Sequence, residues 1–282
     1  MKDIRREDLK ENVRRELTRG IQRTRALRFY LFKFMLRLSL FLAVLGMYVL
    51  DRPLLLEVVQ TFSWRRFTVV HLAWLVFMTI MLLHIIPTNS ITMAWKKARG
   101  EVFREVPGYD RLRLLEQTQR QNLGAWRVML VWLCFNAIFG FLYLWGVIGE
   151  GELLLLTMFY FVCDYICILF FCPFQTFLMK NKCCINCRIY DWGHFMMFTP
   201  MLFIRNFYSW SLFFMALVVL IHWELEYAKH PERFWEGSNV TLQCRSCRER
   251  TCQVKRLLAG QAAPVGKLPL NDCDYRTPGT ER

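Results

Sequence analysis

The 282 residues are 55% hydrophobic and 16% aromatic with a positive mean hydropathy, an apolar content above that of soluble globular domains, so the surplus surface needs lipid. Long apolar runs take up about half of the chain and exclude a separate soluble domain with its own core. The formal charge of +14 is concentrated outside those runs, where it suits the anionic headgroups of a bilayer, and nucleic acid is not expected as a partner.

Residues 1–28 hold ten Lys or Arg and five acidic residues, with Leu9, Val13, Leu17 and Ile21 spaced four apart. That pattern predicts a narrow-striped amphipathic helix, lying on the membrane surface or extending the first span inward. The apolar stretch that follows lacks a small-residue cleavage site, so it is read as a retained span and not as a signal peptide. Apolar runs at 30–50, 67–86, 126–148 and 153–179 are each long enough to cross a hydrocarbon core of about 30 Å. Trp64, Trp126, Trp145 and Trp210 lie at or near run ends, where indole rings favour the interface.

The next stretch, 194–223, is interrupted by Pro200 and by Arg205-Asn206. It either crosses once as a fifth span or descends, turns near Pro200 or Arg205, and returns as a hairpin. The predicted fold class is therefore all-α: a polytopic membrane helix bundle with four full spans plus a fifth span or re-entrant hairpin, and a small cysteine-rich metal site at the cytoplasmic face. The expected divisions are a basic N-terminal helix at 1–28, a membrane domain at 29–225 with a cytoplasmic loop at 88–125, a cysteine-rich tail at 226–258 pairing with 183–188, and a flexible terminus at 259–282.

Orientation follows from the basic residues. Ten precede residue 29, eight lie between Trp95 and Arg127, and three lie in 180–188, whereas 51–66 holds three and 149–152 none. The positive-inside rule then places the N-terminus and the 96–120 and 180–188 loops in the cytoplasm of a bacterial plasma membrane. Asn239-Val-Thr matches a glycosylation acceptor but conflicts with an internal tail.

Of eleven cysteines, Cys134, Cys163, Cys167 and Cys172 fall within apolar runs and read as small packing residues, while Cys183, Cys184, Cys187, Cys244, Cys247, Cys252 and Cys273 lie in polar segments. Cys184 with Cys187 and Cys244 with Cys247 each make a Cys-x2-Cys, the spacing at which one backbone turn aims two thiolates at a single ion. Four such thiolates suit zinc, the first choice. Iron or an iron–sulfur cluster is the alternative, with Cys183 and Cys252 as spare ligands. The same pairs beside Lys182, Arg188, Arg245 and Arg248 also suit thiol–disulfide exchange. A joint site requires both pairs on one membrane face, so the metal reading and the hairpin reading stand together.

Within the runs, Asp164 is a costly carboxylate that needs a partner. Arg37 lies about 21 Å and Asp164 about 18 Å below the outer ends of their runs at ~1.5 Å per residue, and Asn136 is near mid-depth. An Arg37, Asn136 and Asp164 cluster is expected, either bolting helices or forming an ion path. His71 and His84 are 13 residues and about 140° apart around the helix and so do not face one interior together, which leaves a single haem held by one of them with His222 as the haem reading. No phosphate loop, His-Glu-x-x-His helix, nucleophile elbow or paired catalytic carboxylates occur.

The first functional reading is thus a membrane scaffold, assembly or regulatory protein with a four-cysteine metal centre and a soluble partner at the cytoplasmic face. The alternatives are an electron-transfer or thiol–disulfide protein coupled to quinone, and a transporter using Asp164 and Arg37.

Overall fold

The computed structural model describes residues 25–53, 55, 69–85, 97, 99–181, 183–184, 186–243 and 255. Among them the chain is helical and forms no strand, with one isolated antiparallel bridge between Glu105 and Asn239. The helices are α1 (Arg25–Leu50), α2 (Val69–Ile85), α3 (Arg111–Leu144), α4 (Glu150–Leu169), α5 (Gly193–Phe198) and α6 (Phe207–Lys229). Of these α1, α3, α4 and α6 are apolar and long enough to cross a membrane. The shortest, α4 with 20 residues, is ~30 Å long at ~1.5 Å per residue.

Those four are not the expected four. The second expected run holds α2, of which an apolar stretch of 17 residues, ~25 Å of helix, is described. The fourth run breaks: α4 ends at Leu169, and a single π-turn at Phe174–Leu178 follows Pro173. Proline supplies no N–H for the ladder and its ring disfavours helical backbone before it, so the helix stops short of 173. Residues 111–125, expected within a loop, are the first turns of α3, which begins where Asp110 caps it by accepting from Leu112 N at 2.8 Å and Arg113 N at 3.4 Å.

The stretch after the break doubles back. A 3₁₀ turn (Arg188–Trp192), α5 and a second 3₁₀ turn (Thr199–Phe203) form one continuous leg. The chain turns at 204–206 where Asn206 caps α6 by accepting from Tyr208 N at 3.2 Å. The leg runs antiparallel to α6. Trp210 Nε1 donates to Leu202 O at 3.2 Å at one end, and at the other Trp192 Nε1 donates to Glu224 at 2.9 Å beside the Arg188–Glu224 ion pair. Gly140 of α3 makes room for the leg, since a Cβ there would meet the Phe203 ring at 2.3 Å; hydrocarbon offers no hydrophobic drive between helices, so such close approach supplies the packing.

Around that leg, α1 lies along α4 and α2 along α6. Outward-facing Phe32, Leu42, Leu130 and Phe141 are exposed, an apolar surface fitted to lipid and not to water. The loops gather at one end of the bundle. There Val106 N bonds Ser238 O at 2.9 Å, Val240 N bonds Arg104 O at 2.8 Å, and Asn186 donates to Glu236 at 2.6 Å. We call this the loop end. The opposite, turn end is tied by Glu152, which accepts from Tyr48 at 2.6 Å, Arg52 at 2.7 Å and Gly149 N at 2.9 Å.

Candidate functional site

Arg37 and Asp164 meet, Nη1 to Oδ2 at 2.7 Å. The same nitrogen donates to Phe161 O at 2.7 Å, and the guanidinium stacks between the Phe161 and Tyr165 rings at 4.1 Å from each. With Nη1 donating twice and two rings against the guanidinium, Arg37 works as a latch between α1 and α4, the arrangement that makes a charge tolerable inside a bundle. Gly193 closes the far side, where a Cβ would stand 3.2 Å from Asp164 Oδ1. Asn136 does not join them. Its amide donates to Trp132 O at 2.9 Å and accepts from the Tyr160 hydroxyl at 3.3 Å, and Asp164 lies one helical turn farther along α4.

A second charged group was not foreseen. Lys97 and Asp191 are completely buried and stand 3.4 Å apart, with His84 Nε2 at 3.5 Å from the other carboxylate oxygen. Lys97 also donates to Cys187 O at 3.4 Å, and the His194 ring lies edge-on to His84 at 5.2 Å. Burial alone would raise the Asp191 carboxyl, but the Lys97 ammonium and His84 outweigh it and hold it below the usual range. The cluster ties Lys97 to the start of the leg. No spacing signal announces it, because its members come from three distant stretches of the chain.

The histidines considered for haem are separated. The His71 ring lies 5.3 Å from Tyr208 at the start of α6, and His222 is 14 residues farther along that helix beside Trp223, a rise of about 21 Å. They do not converge on one group. His71 and His84 both touch α6, His84 through Trp223 at 5.5 Å, although the wheel set them on different faces. Asn239, the glycosylation candidate, is fully buried, donating to Arg233 O at 3.0 Å and accepting from Thr241 N and Oγ1; its amide is committed to the fold.

The cysteines divide differently from their spacing. Cys244, Cys247, Cys252 and Cys273 lie outside the described residues. Among the described residues no three His, Cys, Asp or Glu side chains converge as a metal-binding group. Cys184 Sγ faces Gln175 Oε1 at 3.0 Å and Lys255 Nζ at 2.9 Å, so a cation there would have to displace an ammonium. Cys187 is buried, and burial pushes its thiol up to about 12. Cys183 is half-buried against the Leu27, Tyr30 and Leu242 cluster.

Two further thiols flank the break: Cys167, on the last turn of α4, and Cys172, just before Pro173. Both are reduced. Gln175 N donates to Cys172 Sγ at 3.4 Å. The neighbouring Cys167 thiol is the largest influence on Cys172 and, with the Gln175 amide and Lys255, draws its thiol below the usual range against the effect of burial. Because the backbone stops being helical at Leu169, the faces on which these two thiols stand are no longer those of one continuous helix. The readable signal was Cys-x4-Cys followed by proline, which the run-length reading passed over by treating 153–179 as one helix.

No known protein family matches the chain, and no curated protein or solved structure is significantly similar to it.

Proposed function

We propose that the chain is a multi-pass membrane protein whose Cys167–Cys172 dithiol carries out thiol–disulfide exchange, with the loop end and the N-terminus in the cytoplasm. The observation that carries this is the break in α4, which leaves two reduced thiols, Cys167 on the last helical turn and Cys172 beyond it, with Cys172 Sγ accepting from Gln175 N at 3.4 Å. One thiol is poised as thiolate and the other sits ready to resolve a mixed disulfide. Cys172 sulfur attacks a disulfide of a partner, a mixed disulfide forms, and Cys167 then displaces the partner as its second thiolate. Two electrons and two protons pass from the dithiol to the partner's disulfide. The orientation rests on the basic loops, 96–120 and 180–188, gathering with the tail at one end.

A zinc or iron centre serving a membrane scaffold is the second reading. It is favoured by the hairpin, which brings the tail at Glu236 to Asn186 and so sets Gln243, the neighbour of Cys244, on the same end as Cys184 and Cys187. Elemental analysis of purified protein tests it: one metal per chain, lost on replacing Cys244, supports the scaffold.

The dithiol is tested in nanodiscs by exposing reduced protein to limiting glutathione disulfide and mapping the products by mass spectrometry. A Cys167–Cys172 disulfide forming ahead of every other is expected. If that pair stays alkylatable while other thiols oxidise, the proposal fails.

A further inference from the structure

At the loop end, Lys255 Nζ stands 2.9 Å from Cys184 Sγ, a direct contact between an amine nitrogen and a thiol sulfur. Gln175 holds the two together. Its Oε1 accepts from Lys255 Nζ and from the Cys184 thiol, each at 3.0 Å. Its own Nε2 donates to Asn181 O at 3.1 Å and its backbone N to Cys172 Sγ at 3.4 Å, which fixes the amide in turn. Gln175 and Cys184 are both buried, and Cys184 is a reduced thiol. Its sulfur lies 3.9 Å from Cys167 O, on the last turn of the membrane-length helix α4.

A thiol that is oxidised goes on to condense with a nucleophile beside it, a second thiol or a nitrogen. At Cys184 a lysine nitrogen already stands at contact distance. Burial keeps bulky polar oxidants such as glutathione disulfide from the sulfur, whereas dioxygen is small and apolar and dissolves in the hydrocarbon that borders the end of α4. A direct S–N bond would require the two atoms to close far inside their present separation. An oxygen atom between them spans it.

We propose that Cys184 and Lys255 are the site of an oxygen-dependent covalent link, S–O–N, that fastens Lys255 to the loop beyond the break in α4. The ammonium first releases one proton to solvent. The S–H bond and one N–H bond then break, and S–O and O–N bonds form to one atom of dioxygen. The other oxygen atom leaves as water with the two hydrogens. Sulfur and nitrogen give up two electrons each, and these four electrons reduce both oxygen atoms. Two equivalents of a dithiol return the four electrons and restore thiol, amine and water. The link uses neither Cys167 nor Cys172 and so stands apart from the exchange reading. It consumes the sulfur that a zinc or iron centre would use, so link and metal exclude one another on a given chain.

The experiment uses the full chain, purified reduced and without air and placed in nanodiscs, with one portion then exposed to air. Both portions are digested and mapped by mass spectrometry. A cross-link between the Cys184 and Lys255 peptides is expected in the aired portion alone, with the mass of the two peptides plus one oxygen less two hydrogens, and dithiothreitol should release it. Lys255→Arg and Cys184→Ser should lose the link, and Cys134→Ser should keep it. A link without the oxygen, Cys184 found in a disulfide, or Cys184 carried to sulfinic acid with Lys255 unlinked would each overturn the proposal. So would one metal per chain that is lost in Cys184→Ser. The wild-type comparison needs no variant to fold. The states of Cys167 and Cys172 are read in the same map, so failure here and failure of the exchange reading are distinguishable.

Discussion

Two cysteine regions lie close in sequence and differ in what their surroundings do to sulfur. Cys184 and Cys187 have the spacing of ligands, yet one faces an amide and an ammonium and the other is sealed in the core. Cys167 and Cys172 have no such spacing and sit in a run that reads as membrane helix, yet that run breaks between them. The difference teaches that Cys-x2-Cys brings thiols together only if the backbone between them turns as a knuckle. A helix ending before a proline changes the faces on which an unbroken helix would hold its thiols.

The comparison can be broken most directly by thiol reactivity. With its thiol drawn down by its neighbours while burial pushes that of Cys187 up, Cys172 should carry far more thiolate at neutral pH. Maleimide labelling of folded protein followed by peptide mapping should find Cys172 modified and Cys187 intact. Labelling should rise with pH, because the reactive form is the deprotonated one. Equal labelling of the two would erase the distinction.

A smaller effect tests the charge cluster that pins Cys187 in place. Asp191→Asn leaves the Lys97 ammonium buried beside a neutral amide and should cost about 3–5 kcal/mol, read as a lower melting temperature in detergent, with Cys187 becoming alkylatable. The wild type should respond to acid in the same direction. A carboxyl held low in the fold contributes stability that is present above its unfolded value and lost as pH falls through the folded one, so melting should drop below about pH 4. An Asp191→Asn chain as stable as wild type would remove the cluster from the account.

The smallest effect is expected at the mid-bundle latch. Asp164 is about one-third exposed, so Asp164→Asn should cost only about 1–2 kcal/mol, a polar contact between helices keeping part of its value, and should leave the dithiol reaction at its wild-type rate. A large loss of exchange activity in that variant would make the latch part of the chemistry.

How much was legible can be argued from single residues. Run lengths made the helical membrane bundle readable, because hydrocarbon forces every backbone group into internal hydrogen bonds and so leaves few options for an apolar chain. Depth counting paired Arg37 with Asp164, since rise per residue is nearly constant. It misassigned Asn136, because rise says nothing about which face of a helix meets which neighbour. Pro173 was visible, but its consequence for Cys167 and Cys172 was not, since where a helix stops and how the chain re-enters depends on what packs against the break. Lys97, Asp191 and His84 were beyond reach: residues drawn from three separated stretches become partners only when the leg at 188–203 folds back along α6.

By itself, then, the sequence determined that this chain is helical, has helices apolar enough to cross a membrane and keeps most of its basic residues outside the apolar runs, because those properties follow from local composition and repeat. Only the tertiary structure decided where the fourth run breaks and what each thiol faces, since that depends on one helix ending at Leu169 and on the surfaces that close around it.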